Sequence, residues 1–276
     1  MKKKDLLEYL EKNNFRPGKI LGQNFLIDDN LLDFIIKETK PLPEENILEV
    51  GPGFGALTRK LLASKAHLTA IEFDHRICEY LRENVKDENF TLVEGDAVRV
   101  DVSKIYDKNT PFRAIANLPY SISSIFVARM LELENPPLDM YFMLQKEMAL
   151  RLAADFNTKN YGALSIRTQT YYDVKVLRIV PPQVFHPAPD VESAIVGFYK
   201  KENALGYKER QLISKITKMV FSQRRKKMIK PLSSLYPKEN ILATFEKLNI
   251  RDDIRPGALT VEQFIDLARE LEALKK

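Results

Sequence analysis

The stretch Glu49–Thr58, which reads EVGPGFGALT, decides the fold of this 276-residue chain. It follows a short apolar run over Asn46–Val50 and opens a helical pattern over Leu57–Ala63. Glycines at alternating positions, beginning with Gly51 and Gly53, let the backbone turn tightly and approach a ligand closely. The G-x-G-x-G spacing differs from the G-x-G-x-x-G of dinucleotide-binding loops. A tight strand-to-helix turn without a ligand is the alternative at this point.

Short apolar runs alternate with amphipathic stretches on both sides of this loop. The predicted strands are 46–50, 68–71, 90–93, 113–116 and 140–144, followed by 175–180 and 194–199. The predicted helices are 5–13, 29–38, 57–63, 76–85 and 123–133. This βαβ rhythm predicts an α/β domain built on a parallel sheet, with helices on both faces.

The pattern changes after residue 200, where helical periodicity continues without strand signals. The predicted helices there are 208–229, 239–247 and 261–273. Asn203 and Gly206 interrupt the pattern between the two regions. We therefore predict two domains, an α/β domain over residues 1–203 and a small all-helical domain over residues 204–276.

Composition excludes several classes of protein. Hydrophobic residues at 45% and charged residues at 29% are ordinary for a globular chain and exclude disorder. A single cysteine, Cys78, excludes a disulfide framework and a multi-cysteine metal site. His75 lies three residues before it with no further ligand nearby, so we expect no metal. No apolar run reaches the ~18 residues that span a membrane and no signal peptide precedes the chain, so we expect a cytoplasmic protein.

Positive charge is concentrated in one segment. The chain carries a net charge of +5, and Lys208–Lys230 contains nine basic residues and one acidic residue. The run Arg224, Arg225, Lys226 and Lys227 has no acidic neighbour to neutralise it. Such a run indicates contact with the phosphates of a nucleic acid, although a basic helix face in solvent is the simpler alternative.

Acidic residues follow two further predicted strands. Glu72 lies 21 residues after Gly51, where a carboxylate can accept hydrogen bonds from both ribose hydroxyls of an adenosine cofactor. Asp96, in Gly95-Asp96-Ala97, is placed to accept from an adenine amino group. These residues leave both NAD and S-adenosyl-L-methionine open as cofactors.

The element Asn117-Leu118-Pro119-Tyr120 follows the fourth predicted strand and favours methyl transfer to an exocyclic amine. The N6 lone pair of adenine is delocalised into the ring, so N6 is a poor nucleophile. Two acceptors, the Asn117 side-chain oxygen and the Leu118 carbonyl, can draw its hydrogens out of the ring plane. Pro119 fixes the backbone and Tyr120 can stack on the base.

A paired adenine cannot reach such a corner, so the substrate base must be flipped out or unpaired. A second aromatic residue is then expected on the other face of the base. Phe185, in the proline-rich loop Pro181–Pro189, is the candidate, with simple packing against the domain as the alternative.

Taken together, these motifs resemble the small-subunit rRNA adenine N6,N6-dimethyltransferases of the kasugamycin-resistance (KsgA/RsmA) type. The shared elements span most of the chain in family order: Leu21–Leu26, Glu49–Thr58, Glu72, Gly95–Ala97, Asn117–Tyr120, Phe185–Pro187 with Val191–Ala194, and Phe221–Lys226. The macrolide-resistance methyltransferases of large-subunit rRNA share part of this set. They typically lack the Gly-Pro-Gly opening and the Phe-Ser-Gln-Arg-Arg-Lys stretch.

The resemblance implies a Rossmann-like methyltransferase domain and a helical C-terminal domain that binds RNA. It implies dimethylation of two adjacent adenosines in the 3′-terminal hairpin of small-subunit (16S) rRNA, with a role in small-subunit biogenesis. The implied partners are that rRNA and the immature 30S particle, and we expect a monomer. An assembly factor that binds RNA without catalysis is the non-enzymatic alternative.

The resemblance also assigns residues to the cofactor. By family pattern, Asn24 and Leu26 contact S-adenosyl-L-methionine ahead of the glycine loop. Gly51 lies against its methionine part and Glu72 binds the ribose. Asp96 faces the adenine, and Asn117 lies at the methyl-transfer centre. Gly53 and Ala97 are further expected cofactor contacts. The segment Lys226–Lys230 departs from the usual family sequence, which affects only the expected RNA contacts.

Overall fold

The computed structural model of the chain describes residues 3–18 and 22–274. The strands are β1 (Phe25–Leu26), β2 (Asn46–Val50), β3 (His67–Glu72), β4 (Phe90–Glu94), β5 (Arg113–Asn117), β6 (Asp139–Gln145), β7 (Tyr172–Val180), β8 (Phe185–His186) and β9 (Ser193–Lys200). The α-helices are α1 (Lys3–Lys12), α2 (Asp29–Thr39), α3 (Ala56–Leu62), α4 (His75–Asn84), α5 (Ser123–Glu132), α6 (Lys146–Leu152), α7 (Ala163–Gln169), α8 (Tyr207–Phe221), α9 (Ile229–Leu232), α10 (Lys238–Lys247) and α11 (Val261–Ala273). Short 3-10 turns cover Val102–Lys104, Pro182–Val184 and Pro256–Ala258.

Seven strands form the main sheet in the order β4-β3-β2-β5-β6-β9-β7, while β1 and β8 form a separate antiparallel pair. The ladders that join β4, β3, β2, β5 and β6 are all parallel, as the βαβ rhythm predicts. The central strands β2, β5 and β6 are mostly buried, as expected for parallel strands that are covered by helices, whereas the edge strand β4 is partly exposed. Ile47, Leu48 and Leu68 are each at most 1% exposed.

Local sequence signals explain where the helices begin. Asp28 caps α2, and its side chain accepts a hydrogen bond from the Leu31 N–H at 2.7 Å. Asp74 caps α4 in the same way through the Arg76 N–H. Such caps satisfy backbone donors that have no partner within the helix. Both helices therefore begin within a residue of the predicted positions.

Contacts between Cα atoms divide the chain into two compact units. The first comprises residues 1–130, 137–149 and 175–198, and the second comprises residues 131–136, 150–174 and 199–276. The second unit therefore contains α7 as well as α8–α11, whereas the sequence analysis assigned residues 150–174 to the first domain. The predicted boundary between residues 203 and 204 stays a prediction about domain organisation.

The second unit has its own apolar core. Ile166 of α7 is fully buried together with Ile216 of α8, Phe245 of α10 and Phe264 of α11. Helices α6 and α7 are absent from the sequence analysis, because seven-residue helices carry too few turns to show a clear apolar stripe.

The helix predicted over 208–229 is wrong beyond Phe221, where α8 ends. Residues 222–225 form a turn, residues 226–228 are not helical, and α9 begins at Ile229. Five long polar side chains in a row, from Gln223 to Lys227, offer no apolar residue to pack until Met228, which is fully buried. Within the described part of the chain, no helix combines the length and apolarity needed to cross a lipid bilayer.

Candidate active site

The carboxyl ends of four parallel strands bring the predicted site residues to one edge of the sheet. Gly51 follows β2 and its N–H donates to the Ile71 carbonyl at 2.9 Å, while the Gly95 N–H donates to the Glu72 carbonyl at 2.7 Å. Strand order reverses beside β2, with β3 on one side and β5 on the other. Ligands of open α/β sheets bind at such a switch point, outside the carboxyl ends of the strands.

The glycine loop adopts a backbone conformation that is unfavourable for residues other than glycine. Gly51, Gly53 and Gly55 have φ values of +66°, +53° and +76°, all in the left-handed region. A Cβ atom at Gly51 would lie 3.2 Å from Cδ of Pro119, and one at Gly53 would lie 2.9 Å from Cδ1 of Phe25. The loop therefore packs directly against two other site elements and needs glycine at both positions.

Glu72 presents a buried carboxylate at the end of β3. Its side chain is 7% exposed, and its Oε1 accepts from the backbone N–H groups of Phe73 at 2.8 Å and Asp74 at 2.9 Å. Burial raises the pKa of Glu72, and these backbone donors offset part of that rise. The donors fix the direction of the carboxylate, as recognition of a pair of hydroxyls requires.

Asp96 and Phe73 also line the site. Asp96 accepts from the Val98 N–H at 2.9 Å and pairs with Arg99 at 3.5 Å, which hold its carboxylate in place. Phe73 is 60% exposed, a high value for a large aromatic side chain. Phe73 is a site residue that the sequence motifs did not predict, although its position directly after Glu72 could have indicated it.

The Asn117 side chain has a defined orientation. Its Nδ2 donates to the Asn24 carbonyl at 3.1 Å, which makes Nδ2 the anchored end of the amide. Among the hydrogen bonds of the described residues, none ends on Asn117 Oδ1 or on the Leu118 carbonyl. Both predicted acceptors therefore remain available to a ligand.

The rest of the Asn117–Tyr120 corner is tied to the turn that opens α5. The Pro119 carbonyl accepts from the Ile122 N–H at 3.1 Å and from the Ser123 hydroxyl at 3.0 Å. The Tyr120 hydroxyl lies 2.5 Å from Oγ of Ser193, which is fully buried. Desolvation raises the pKa of Tyr120, so the ring is a neutral stacking surface at physiological pH.

The N-terminal segment closes one side of the site. Gln23 accepts from the Gly18 N–H at 2.6 Å and donates to Asp74 at 2.9 Å, which ties this segment to the start of α4. Asn24 and Leu26 follow it. Leu21, the first residue of that motif, lies outside the described residues.

These elements enclose a cavity of about 290 Å³, near the lower limit for small-molecule sites. All the predicted cofactor residues line it, namely Asn24, Leu26, Gly51, Gly53, Glu72, Asp96, Ala97 and Asn117. Leu118, Pro119 and Tyr120 line it as well. A purely structural glycine turn would not assemble this set of side chains around one space.

Phe185 differs from the other predicted site residues. It is 3% exposed, lies in β8 opposite Leu26 of β1, and does not line the cavity. Its role as a second stacking surface stays a prediction.

Glu49 is a cavity residue that the sequence analysis did not assign to a role. It is 2% exposed, and its Oε2 accepts from the Thr58 hydroxyl at 2.8 Å. Burial raises its pKa to about 8, an effect that the Thr58 hydrogen bond opposes and the charge of Glu72 increases. Its position, as a charged residue in a buried strand next to the glycine loop, could have indicated Glu49 as a site residue.

The basic run of the second unit is divided between two environments. Arg225, Lys226 and Lys227 line a surface hollow together with Lys230, Arg251 and Arg255. Arg224 instead donates to the carbonyls of Lys159 at 2.7 Å and Thr158 at 2.9 Å, between α6 and α7. Arg224 and Arg225 lie on a turn and not on a helix, but a basic surface in solvent remains the alternative, and contact of this run with RNA phosphates stays a prediction.

His75 and Cys78 show no metal-like arrangement. His75 lies 2.7 Å from Glu94 and 3.3 Å from Glu79 in ion pairs. Cys78 is buried, and burial raises the pKa of its thiol to about 12. Within residues 3–18 and 22–274, no group of three or more His, Cys, Asp or Glu side chains is arranged to hold a metal ion.

Comparison with known proteins assigns the chain to a family. A family profile described as "Ribosomal RNA adenine dimethylase" matches residues 13–273. The "Ribosomal RNA small subunit methyltransferase A" of Clostridium acetobutylicum is 35% identical over 274 residues, which cover 98% of this chain and 99% of that protein. The protein of the same name from Alkaliphilus metalliredigens is 38% identical over 273 residues, with 96% and 95% covered.

A solved structure confirms the Rossmann-like methyltransferase fold. The dimethyladenosine transferase from Plasmodium falciparum superposes with a TM-score of 0.77 at 25% identity, covering 90% of this chain and 98% of that one. The profile match and the curated relatives both extend over more than nine-tenths of the sequence. The chain therefore belongs to the ribosomal RNA adenine dimethylase family.

Proposed function

We propose that this enzyme dimethylates N6 of two adjacent adenosines in the 3′-terminal hairpin of small-subunit rRNA, within an immature 30S particle. Membership of the family establishes the reaction class, an S-adenosylmethionine-dependent dimethylation of rRNA adenines. The choice of the small subunit is supported by the names of the curated relatives. A cytoplasmic location, a monomeric state and independence from metal ions belong to the same proposal.

The cavity fits S-adenosylmethionine on features of its own. Gly51 and Gly53 line the cavity, and without side chains they leave the loop backbone open to a ligand. Glu72 offers a directed carboxylate for the ribose, and Asp96 offers a second one for the adenine amino group. Phe73 supplies an exposed flat surface beside them. When bound, this cofactor supplies an electrophilic methyl group on a sulfonium, which departs as a neutral thioether.

The observation that carries the proposal is the orientation of the Asn117 amide. Because Nδ2 is held by the Asn24 carbonyl, Oδ1 is the end left to accept a hydrogen bond from a substrate amine. The Leu118 carbonyl provides the second acceptor. Two acceptors can bind both hydrogens of adenine N6 and direct its lone pair toward the methyl donor. No strong base is needed, since N6 becomes positively charged as it gains the methyl group and its proton then passes to water.

Catalysis in this arrangement is mainly positioning. The reacting nitrogen and carbon must be held ~3–3.5 Å apart and in line. Pro119 contacts Gly51, so the corner that holds the base and the loop that holds the cofactor touch directly. Tyr120, fixed by Ser193, supplies one stacking surface for the flipped base. We propose Phe185 as the second, after rearrangement of the loop that now buries it.

The experiment that tests this proposal is methylation of defined particles in vitro. Small subunits from cells that lack the gene should accept four methyl groups from labelled cofactor, two on each adenosine, when the purified protein is added. Large subunits from the same cells should accept none. Mass spectrometry of the 3′-terminal fragment locates the product, and methylation confined to large-subunit rRNA would overturn the proposal.

Asn117→Ala separates catalysis from a purely structural role in assembly. The variant should bind the particle with an affinity within about twofold of wild type, while methylation falls at least 100-fold through loss of one positioned acceptor, about 2.7 kcal/mol or more. Glu88→Gln, on an exposed site away from the cavity, is the matched control. Normal methylation by Asn117→Ala would refute the acceptor role.

A further inference from the structure

Glu49 is a buried titratable group that the methyl-transfer scheme leaves without a role. It lines the cavity, yet within the described chain it forms no ion pair with a lysine or arginine. Its one side-chain donor is the Thr58 hydroxyl of α3, at 2.8 Å. From the neighbouring strand β3, Glu72 adds a second carboxylate, and β5 presents the apolar run Ala114–Ala116 on the other side.

A carboxylate in such a position is unstable unless something compensates its charge. Burial without a cation favours the neutral acid, and a second carboxylate close by favours it further. One hydroxyl donor is too little to reverse both effects. In agreement, the pKa of Glu49 is raised to about 8.

We propose that Glu49 is a charge-sensing residue of the cavity, which holds a proton when the cavity is empty and releases it to solvent when a cationic ligand binds there. The inference rests on the proposed cofactor, whose methionine part carries an ammonium and a sulfonium. A cation within ~4–6 Å of a carboxyl favours its ionised form. The O–H bond of Glu49 breaks, the proton passes to the buffer, and the carboxylate becomes the counter-charge of the ligand.

The consequence is a preference for the charged ligand. Neutral adenosine gains nothing from ionisation of Glu49, whereas S-adenosylmethionine gains an ion pair inside the protein. The ionisation of Glu49 therefore contributes to the selectivity of the cavity for S-adenosylmethionine over adenosine. This selectivity increases with pH until Glu49 is already ionised in the free protein.

The test is titration calorimetry of the full chain with S-adenosylmethionine in buffers of different ionisation enthalpy. A carboxyl with a pKa of about 8 is about 90% protonated at pH 7, so wild type should release up to about 0.9 proton more than Glu49→Gln. The difference should fall to about 0.1 proton at pH 9. Between pH 7 and pH 9, the ratio of the S-adenosylmethionine affinity of wild type to that of Glu49→Gln should rise about tenfold. Protons that the ligand itself exchanges are common to both proteins and cancel in this ratio.

S-adenosylhomocysteine, which lacks the sulfonium charge but keeps the ammonium, identifies the cation involved. Proton release with both ligands supports the proposal with the ammonium as partner, and release with S-adenosylmethionine alone supports it with the sulfonium. Equal proton release by wild type and Glu49→Gln would overturn the proposal. Failure of wild type to bind either ligand would instead overturn the proposed function itself.

Thr58→Val keeps the proposal testable if Glu49→Gln does not fold. The substitution preserves side-chain shape at a fully buried site and removes the hydroxyl that lowers the pKa of Glu49. The pH at which half the maximal proton release occurs should therefore move upward relative to wild type. An unchanged midpoint would contradict the proposal, and Glu88→Gln, an exposed substitution, should leave the midpoint where it is in wild type.

Discussion

Gly51→Ala is expected to destabilise the protein by more than its backbone conformation alone explains. At φ +66°, an alanine is forced into the left-handed region, which costs about 1–2 kcal/mol. Its Cβ would also lie 3.2 Å from Cδ and 3.3 Å from Cγ of Pro119. Pro119 is held by two hydrogen bonds to its carbonyl and cannot move aside freely. Overpacking of this kind adds about 1–3 kcal/mol, so we expect a total loss of about 2–5 kcal/mol.

Gly22→Ala is the matched control, because it shares the backbone conformation without the overlap. Gly22 has φ +64°, and the nearest atom to its added Cβ is the Tyr120 backbone nitrogen at an ordinary 3.6 Å. The control should therefore lose only about 1–2 kcal/mol of unfolding free energy. Both added Cβ atoms would lie near Pro119, but the one at Gly22 would be at an ordinary 3.8 Å, whereas the one at Gly51 would be at 3.2 Å.

Urea unfolding followed by circular dichroism measures both losses, and calorimetry with S-adenosylmethionine measures the remaining affinity. We expect Gly51→Ala to be less stable than Gly22→Ala by about 1–3 kcal/mol, and to show the larger fall in methylation rate because strain on Pro119 displaces Asn117. Equal losses in the two variants would refute the argument that the glycine loop and the Asn117–Tyr120 corner are in forced contact.

Three further outcomes are expected. Arg225→Gln should weaken RNA binding and reduce, by about one unit, the slope of the logarithm of the binding constant against the logarithm of the salt concentration. Arg224→Gln should chiefly increase hydrogen exchange in the segment between α6 and α7. Identical behaviour of the two variants would show that their different contacts have no effect. Ser193→Ala should lower the methylation rate about fivefold and leave cofactor affinity unchanged, because the hydrogen bond that positions Tyr120 contributes about 1 kcal/mol. A change confined to cofactor affinity would argue against a stacking role for this ring. Phe73→Ala should weaken S-adenosylmethionine binding about tenfold and leave RNA affinity unaltered. If calorimetry gives an affinity for S-adenosylmethionine equal to that of wild type, Phe73 does not contact the adenine.

The sequence predicted the fold where the determining signal is local. The predicted strand over 46–50 coincides with β2, whose apolar run lies within the segment. The predicted helix over 261–273 coincides with α11, which has its own apolar periodicity and is capped by the preceding Thr260. The prediction over 208–229 was wrong after Phe221, since a cationic run has no periodicity that distinguishes a helix from a turn. Helices α6 and α7 are shorter than the window over which periodicity can be recognised.

Much of the site was predictable for a topological reason. Residues that follow parallel strands must meet at one edge, so Gly51, Glu72, Asp96 and Asn117 could be grouped without coordinates. The direction of the Asn117 amide could not be predicted, because its partner, the Asn24 carbonyl, is 93 residues away in sequence. The absence of a lysine or arginine partner for Glu49 among the described residues is likewise a result of packing, which a sequence motif does not show.

The two-residue pairing of β1 with β8 has a consequence for how this enzyme can evolve. Leu26, beside the cofactor cavity, pairs with Phe185, and the Ile27 N–H donates to the Val184 carbonyl at 2.9 Å. An insertion or deletion on either strand would slip both out of register. A change of length at β8, within the loop Pro181–Pro189, therefore also affects the wall of the cofactor cavity, whereas exchange of side chains in that loop leaves the pairing intact.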